Sequence, residues 1–138
     1  MNSFLIKSNS NANQVGDEPL IISKNTLCPV AVGPNRIASA KLLLKENNCN
    51  VLISDDGLQH FKLGRDIEIA MIDGIRKFGN NQLLPAGPLR EPIKRLEEVN
   101  FVVNTNSFYS ADAEENNKNF LMTYKPAAWV NLFTGPVS

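Results

Sequence analysis

The segment Val51-Leu-Ile-Ser-Asp-Asp-Gly-Leu-Gln-His60 constrains the chain most, because an apolar, β-branched run ends abruptly in two carboxylates. Residues 50–54 read as a strand buried on both faces of a parallel sheet, since nothing polar alternates along them before Ser54. Similar runs return at 67–72 and 101–104, the second preceded by a short helix over 92–99. Residues 35–47 place Ile37, Ala40, Leu43 and Leu44 on one face, with Arg36, Ser39, Lys45 and Glu46 elsewhere, which predicts an amphipathic helix packed on the sheet. Strands alternating with helices imply an α/β fold.

The remainder is less regular. Residues 1–14, rich in Ser and Asn, read as a loop or poorly ordered start, so the domain is expected over 15–138. Residues 20–23 suggest a short helix after Pro19, and 29–32 a brief strand closed by Gly33-Pro34. Residues 120–124 and 129–133 are weaker strand candidates beyond the Asn-rich stretch 110–119. A chain of 138 residues buries about two thirds of its unfolded surface, enough for one modest domain.

Fourteen basic and fourteen acidic residues cancel, which argues against broad binding to nucleic acid. Cys28 and Cys49 have neither CxxC spacing nor a His cluster, so neither zinc nor a disulfide framework is expected. No run approaches the roughly 18 apolar residues of a membrane span, and no signal peptide is recognisable. The expectation is a soluble or peripheral chain.

Asp55 and Asp56 fall at the carboxyl end of the first strand, where open α/β sheets bind ligands. A hydrophobic strand ending in Asp holds Mg²⁺ in many nucleotide-using enzymes, but Asp-Asp-Gly is also a common turn signal, with Gly57 supplying the sharp bend. Gln59 and His60 return polar groups towards the same place, although a lone His is often structural. Gly16-Asp17-Glu18-Pro19 reads as a helix N-terminus, with Asp17 as cap or first-turn acid. The proline-rich run Leu83-Leu-Pro-Ala-Gly-Pro-Leu-Arg-Glu-Pro92 makes a rigid loop ending in Arg90 and Glu91. Arg90 can grip phosphate and Glu91 can join a metal shell, or the pair simply heads the following helix. Arg65 with Asp66 reads as a surface ion pair, Asp73-Gly74 as a turn, and Arg76 and Lys77 as solvent-facing.

In order and spacing, Gly16-Asp-Glu-Pro, Ser54-Asp-Asp-Gly-Leu-Gln-His, Arg65-Asp66, Phe78-Gly-Asn80 and Pro85-Ala-Gly-Pro-Leu-Arg-Glu-Pro92 together resemble the tetraacyldisaccharide 4'-kinase family. The resemblance begins near Asn11 and runs to about Asn104. It implies a P-loop-kinase-like parallel sheet flanked by helices, incomplete here, and ATP-dependent phosphorylation of the 4'-hydroxyl of the lipid A disaccharide precursor. The cofactors it implies are ATP and Mg²⁺. Its setting would be the cytoplasmic face of the Gram-negative inner membrane. Carried onto this sequence, the resemblance implies Asp17 as candidate catalytic base, Asp55, Asp56 and Glu91 as candidate Mg²⁺ ligands, and Gln59, His60 and Arg90 as residues lining the phosphate site.

The sequence also departs from that family. No Gly-rich loop ending in Gly-Lys-Ser/Thr occurs; Gly33-Pro-Asn-Arg-Ile-Ala-Ser-Ala-Lys41 has the wrong spacing, and Pro34 lacks an amide donor. The family's first βα unit, membrane-associating helix and C-terminal lobe with its partner His have no counterpart here. The chain alone is therefore expected to be a poor kinase or none. Two other readings are a non-catalytic α/β interaction domain and a metal-dependent phosphohydrolase built on the Asp pair and His60.

Overall fold

The computed structural model describes residues 3–105 and 118–125, together with the backbone of 130–131 and 135–136. It divides into two compact units, Met1–Gly64 and Arg65–Ser138.

In the first unit, β1 (Phe4–Leu5) pairs antiparallel with β2 (Ala31–Val32), Phe4 opposite Val32. The start expected as loop thus contributes a short strand and one helical turn, α1 (Ala12–Val15), capped by Asn11 Oδ1 accepting from Gln14 N at 3.2 Å. Helix α2 (Asp17–Asn25) follows at once and begins three residues before the expected 20–23. Helix α3 (Arg36–Glu46) matches its sequence reading. Asn35 Oδ1 accepts from Ala38 N at 3.1 Å, satisfying one of the orphan donors of the first turn, and Asn47 closes the helix through Leu43 O.

The buried stripe of α3 differs from the expected one. Ile37, Ala40 and Leu43 are half-buried, Leu44 is exposed, and Ser39, expected outside, is buried. The hydroxyl makes that possible: Ser39 Oγ donates to Ser3 Oγ at 3.0 Å and lies 3.2 Å from Asn35 O, so burial leaves no orphan polar group.

The second unit holds the parallel sheet. Its strand order is β3 (Ile69–Asp73), β4 (Phe101–Thr105), β5 (Asn119–Met122), all parallel, with Ala70 opposite Val102 and Val102 opposite Asn119. Ala70, Val99 and Val102 form its buried core. A 3-10 helix, Ile93–Glu97, takes the place of the short helix expected over 92–99. Pro92 stands immediately before it with φ −61°, a value its ring imposes. A further pair, β6 (Val130–Asn131) and β7 (Gly135–Pro136), is antiparallel. Of the 129–133 candidate, Val130–Asn131 form β6, and the other residues lie outside the described ones.

The strand expected at 50–54 does not form. Residues 51–54 carry no ladder, and Val51 and Ile53 are 72% and 94% exposed. Strand conformation is held by cross-strand bonds and face burial, and among the described residues no strand pairs with this segment. β-branched composition alone does not hold the conformation.

Asp73 ends β3 opposite Thr105, and its carboxylate organises the turn that follows. Asp73 Oδ1 accepts from Ile75 N at 2.9 Å and Arg76 N at 3.2 Å. These two amide bonds, led by the one from Ile75, hold its pKa below the usual value of 3.8. A depressed carboxylate contributes stability that is complete above the unfolded pKa and is lost as pH falls through the lower folded one. Asp73→Asn keeps an acceptor oxygen and removes the charge. Urea melts should therefore show a constant deficit for the variant from pH 7 down to about 4, shrinking to nothing in stronger acid. A deficit independent of pH would assign the effect to shape instead of charge.

Candidate functional site

Each sequence-predicted site residue lies in a turn or at the head of a helix. Asp17 is the first residue of α2, exposed, with Glu18 beside it in the first turn, where both acids complement the helix dipole. Its placement depends on Gly16, which closes α1 through a bond from its N–H to Ala12 O and opens α2 at φ 89°. No side chain tolerates that conformation readily, and a Cβ there would meet Pro19 Cδ at 3.4 Å.

Asp55 and Asp56 form a tight turn, both exposed. The sharp bend expected of Gly57 belongs to Asp56, whose φ is 48°. Asp tolerates this left-handed region better than most residues because its short side chain bonds locally. Gly57 instead admits Ser54 beneath it, where a Cβ would stand 3.1 Å from Ser54 Oγ. Arg36, at the head of α3, donates to the Asp55 carbonyl at 3.3 Å and ties the turn to that helix. Among the described residues neither carboxylate has a side-chain partner, so two like charges stand side by side facing solvent. His60 closes the next turn by donating from its N–H to Gly57 O at 3.0 Å, with its imidazole and the Gln59 side chain exposed.

In the second unit, Arg90 and Glu91 leave a stiff loop. Leu83 and Leu89 form an isolated bridge, Leu84 N donates to Leu89 O at 2.9 Å, and Leu89 N donates to Gln82 O at 3.1 Å. Arg90 is exposed; Glu91 is half-buried, its Oε2 3.4 Å from Arg95 Nε.

That contact belongs to a network that the sequence did not disclose. Glu68 receives Arg65 Nε at 2.9 Å and Arg95 Nη2 at 2.6 Å, and Glu98 approaches Arg95 Nη1 at 3.3 Å. Arg65 pairs with Glu68 and not with its neighbour Asp66. Glu68 keeps only 15% of its side chain exposed, so the network is better shielded than an ordinary surface pair. The hydrogen bond from Arg95 to Glu68, with the surrounding carboxylates, raises the pKa of the guanidinium above its already high value. Glu91 thus faces a fixed cation. Its carboxylate still has lone pairs beyond that contact with which to meet a cation.

Among the described residues, no three His, Cys, Asp or Glu side chains converge on one point. The Asp55–Asp56 turn and the Arg90–Glu91 loop stand in different units. The chemistry of the Asp pair still suits Mg²⁺, a hard cation held by one or two carboxylates, with water and phosphate oxygens filling its octahedron.

The sequence model of tetraacyldisaccharide-1-P 4'-kinase matches residues 2–137. The chain belongs to this family. A relative from Nitrosococcus oceani named tetraacyldisaccharide 4'-kinase is 56% identical over 94 residues, covering 68% of this chain and 28% of the relative. One of the same name from Vibrio cholerae is 45% identical over 132 residues, covering 96% and 37%. A third, from Legionella pneumophila, is 52% identical over 100 residues, 72% and 31%. The chain therefore spans about a third of the length of the curated relatives it matches. No solved structure matches it. As a member of this kinase family it takes the α/β fold, and the parallel sheet agrees with that. No described helix is long and apolar enough to cross a membrane.

Proposed function

We propose that the chain carries part of the nucleotide and metal site of a lipid A 4'-kinase, which transfers the γ-phosphate of ATP to the 4'-hydroxyl of the tetraacyldisaccharide 1-phosphate precursor. The observation that supports this best is the match of the kinase family over residues 2–137, inside which the Asp55 and Asp56 carboxylates have no side-chain partner among the described residues. On this reading Asp55 and Asp56 hold Mg²⁺, which when bound neutralises phosphate charge. Asp17 orients or accepts the proton of the attacking hydroxyl, and its place at the first turn of α2 keeps the carboxylate exposed to do so. Gln59, His60 and Arg90 contact the phosphates, with Arg90 supplying a permanently charged planar fork. Glu91 would join the metal shell while keeping its contact with Arg95, since a carboxylate has lone pairs for both. The acceptor is a lipid headgroup, so the complete protein works against the cytoplasmic face of the inner membrane.

These 138 residues contain no Gly-Lys-Ser/Thr phosphate cradle, and preorganised electrostatics is usually the largest catalytic term. The chain alone is therefore a weak nucleotide binder and a poor kinase. Mg²⁺ with ATP should raise its melting temperature more than either does alone, since a ligand that binds the native state stabilises it. Phosphate should not reach the disaccharide lipid at a measurable rate. Rapid 4'-phosphorylation by the purified chain would refute the second statement, and a melting temperature indifferent to Mg²⁺-ATP would refute the first.

A further inference from the structure

We propose that Asn80 is a positioning residue for nucleotide binding: its amide buckles the 80–89 loop into the shape that presents Arg90 to phosphate. The inference rests on the proposed role of Arg90. Asn80 Nδ2 donates to Ala86 O at 2.9 Å, while its Oδ1 accepts from Gln82 N at 3.2 Å. One side chain thus joins the two limbs of the loop, which only a group that both donates and accepts can do. The other limb is shaped to receive it. A Cβ on Gly87 would fall inside both Asn80 Oδ1 and the Gln82 carbonyl, so the glycine leaves the space that the amide occupies.

The backbone completes the frame, with Gly87 N donating to Leu83 O at 3.0 Å and Leu89 N to Gln82 O at 3.1 Å. Beyond it, the Glu68–Arg95 pair at 2.6 Å and the Arg95–Glu91 contact at 3.4 Å hold the residue after Arg90. Arg90 lies between two fixed points, and its own guanidinium makes no hydrogen bond or ion pair among the described residues. A cation whose chain neighbours are held on both sides while its head stays available is arranged to meet an anion at reduced ordering cost.

The test is an amide NMR titration of the full chain with Mg²⁺-ATP, comparing the parent, Asn80→Ala, Arg90→Ala and the double variant. Asn80→Ala and Arg90→Ala should each weaken binding about tenfold, as expected for one charge-assisted contact. The double variant should be no weaker than Arg90→Ala, because Asn80 acts through Arg90. A purely structural Asn80 would instead lower the melting temperature and leave ATP affinity unchanged or additive with Arg90→Ala; either result overturns the inference. If Asn80→Ala disturbs the amides of Val102 and Thr105 in the sheet, Asn80→Ser, which keeps a donor and an acceptor on a shorter stem, should give intermediate affinity. Parent-like affinity in Asn80→Ser with its bonds to Ala86 and Gln82 lost would equally overturn it. Parent-like affinity in Arg90→Ala would defeat the phosphate role of Arg90 itself, and the inference with it. Loss in Arg90→Ala but not in Asn80→Ala defeats the inference alone.

Discussion

Asp55→Asn with Asp56→Asn should make ATP binding by this chain insensitive to Mg²⁺ and weaken binding of Mg²⁺-ATP by about tenfold or more. The reason lies in the turn. Its two carboxylates are adjacent, exposed and without side-chain partners among the described residues, so they repel one another and also repel a polyphosphate. A divalent cation between them and the phosphates converts both repulsions into attraction. The same variant should bind metal-free ATP slightly better than the parent, because only the repulsive part remains to be removed. This reversal of sign separates a metal site from a structural turn. If the pair only shaped the bend, the double Asn variant would keep the turn, since Asn also tolerates the φ of 48° found at Asp56, and both titrations would be unchanged.

Gly87→Ala should cost about 2 kcal/mol and lower the melting temperature of the unit containing it by roughly 10 °C. The added methyl meets Asn80 Oδ1 and the Gln82 carbonyl, and the second is backbone that cannot swing aside. The loop must open. Its opening breaks the bonds from Asn80 to Ala86 and from Gly87 to Leu83. Gly64→Ala is the matched control, because nothing lies within 4 Å of the position its Cβ would take. That change should be neutral or mildly stabilising through the unfolded state. Thermal denaturation of the two variants decides it, and equal melting temperatures would show that the loop yields cheaply.

Local signals were legible in the sequence and distant ones were not. Helix α3 was placed over 35–47 by its apolar face, and Gly16-Asp17-Glu18-Pro19 was a helix start because capping and dipole terms act within one turn. Strands β3 and β4 were found to within two residues, since their apolar runs are bounded by polar groups. Residues 50–54 carry the same kind of run and pair with no strand among the described residues, because a strand also needs a neighbour, which composition does not encode.

Within the candidate site, the motifs identified which residues to examine but not how they are held. Glu68 and Arg95 stand 27 positions apart and meet only through the fold, so no sequence spacing pointed to the network that restrains Glu91. Asn80 had a weak signal: an Asn directly after Gly79, ahead of a loop with two prolines and a glycine, is the type of residue that bonds backbone on both sides. Asp56 rather than Gly57 taking the positive φ shows the limit of reading turns by glycine alone.

Whether these residues form a working part of a lipid A 4'-kinase, as proposed, can be decided with one hybrid protein. Residues 2–137 would replace the matching segment of the Vibrio cholerae relative, of which the match covers 37%. Transfer of labelled γ-phosphate from ATP to the 4'-hydroxyl of the tetraacyldisaccharide would then be measured, with and without Asp55→Asn and Asp56→Asn. The hybrid should transfer phosphate, and the double Asn form should do so about a thousandfold or more slowly. A folded hybrid that transfers no phosphate, or one equally active without the two carboxylates, would contradict the proposal.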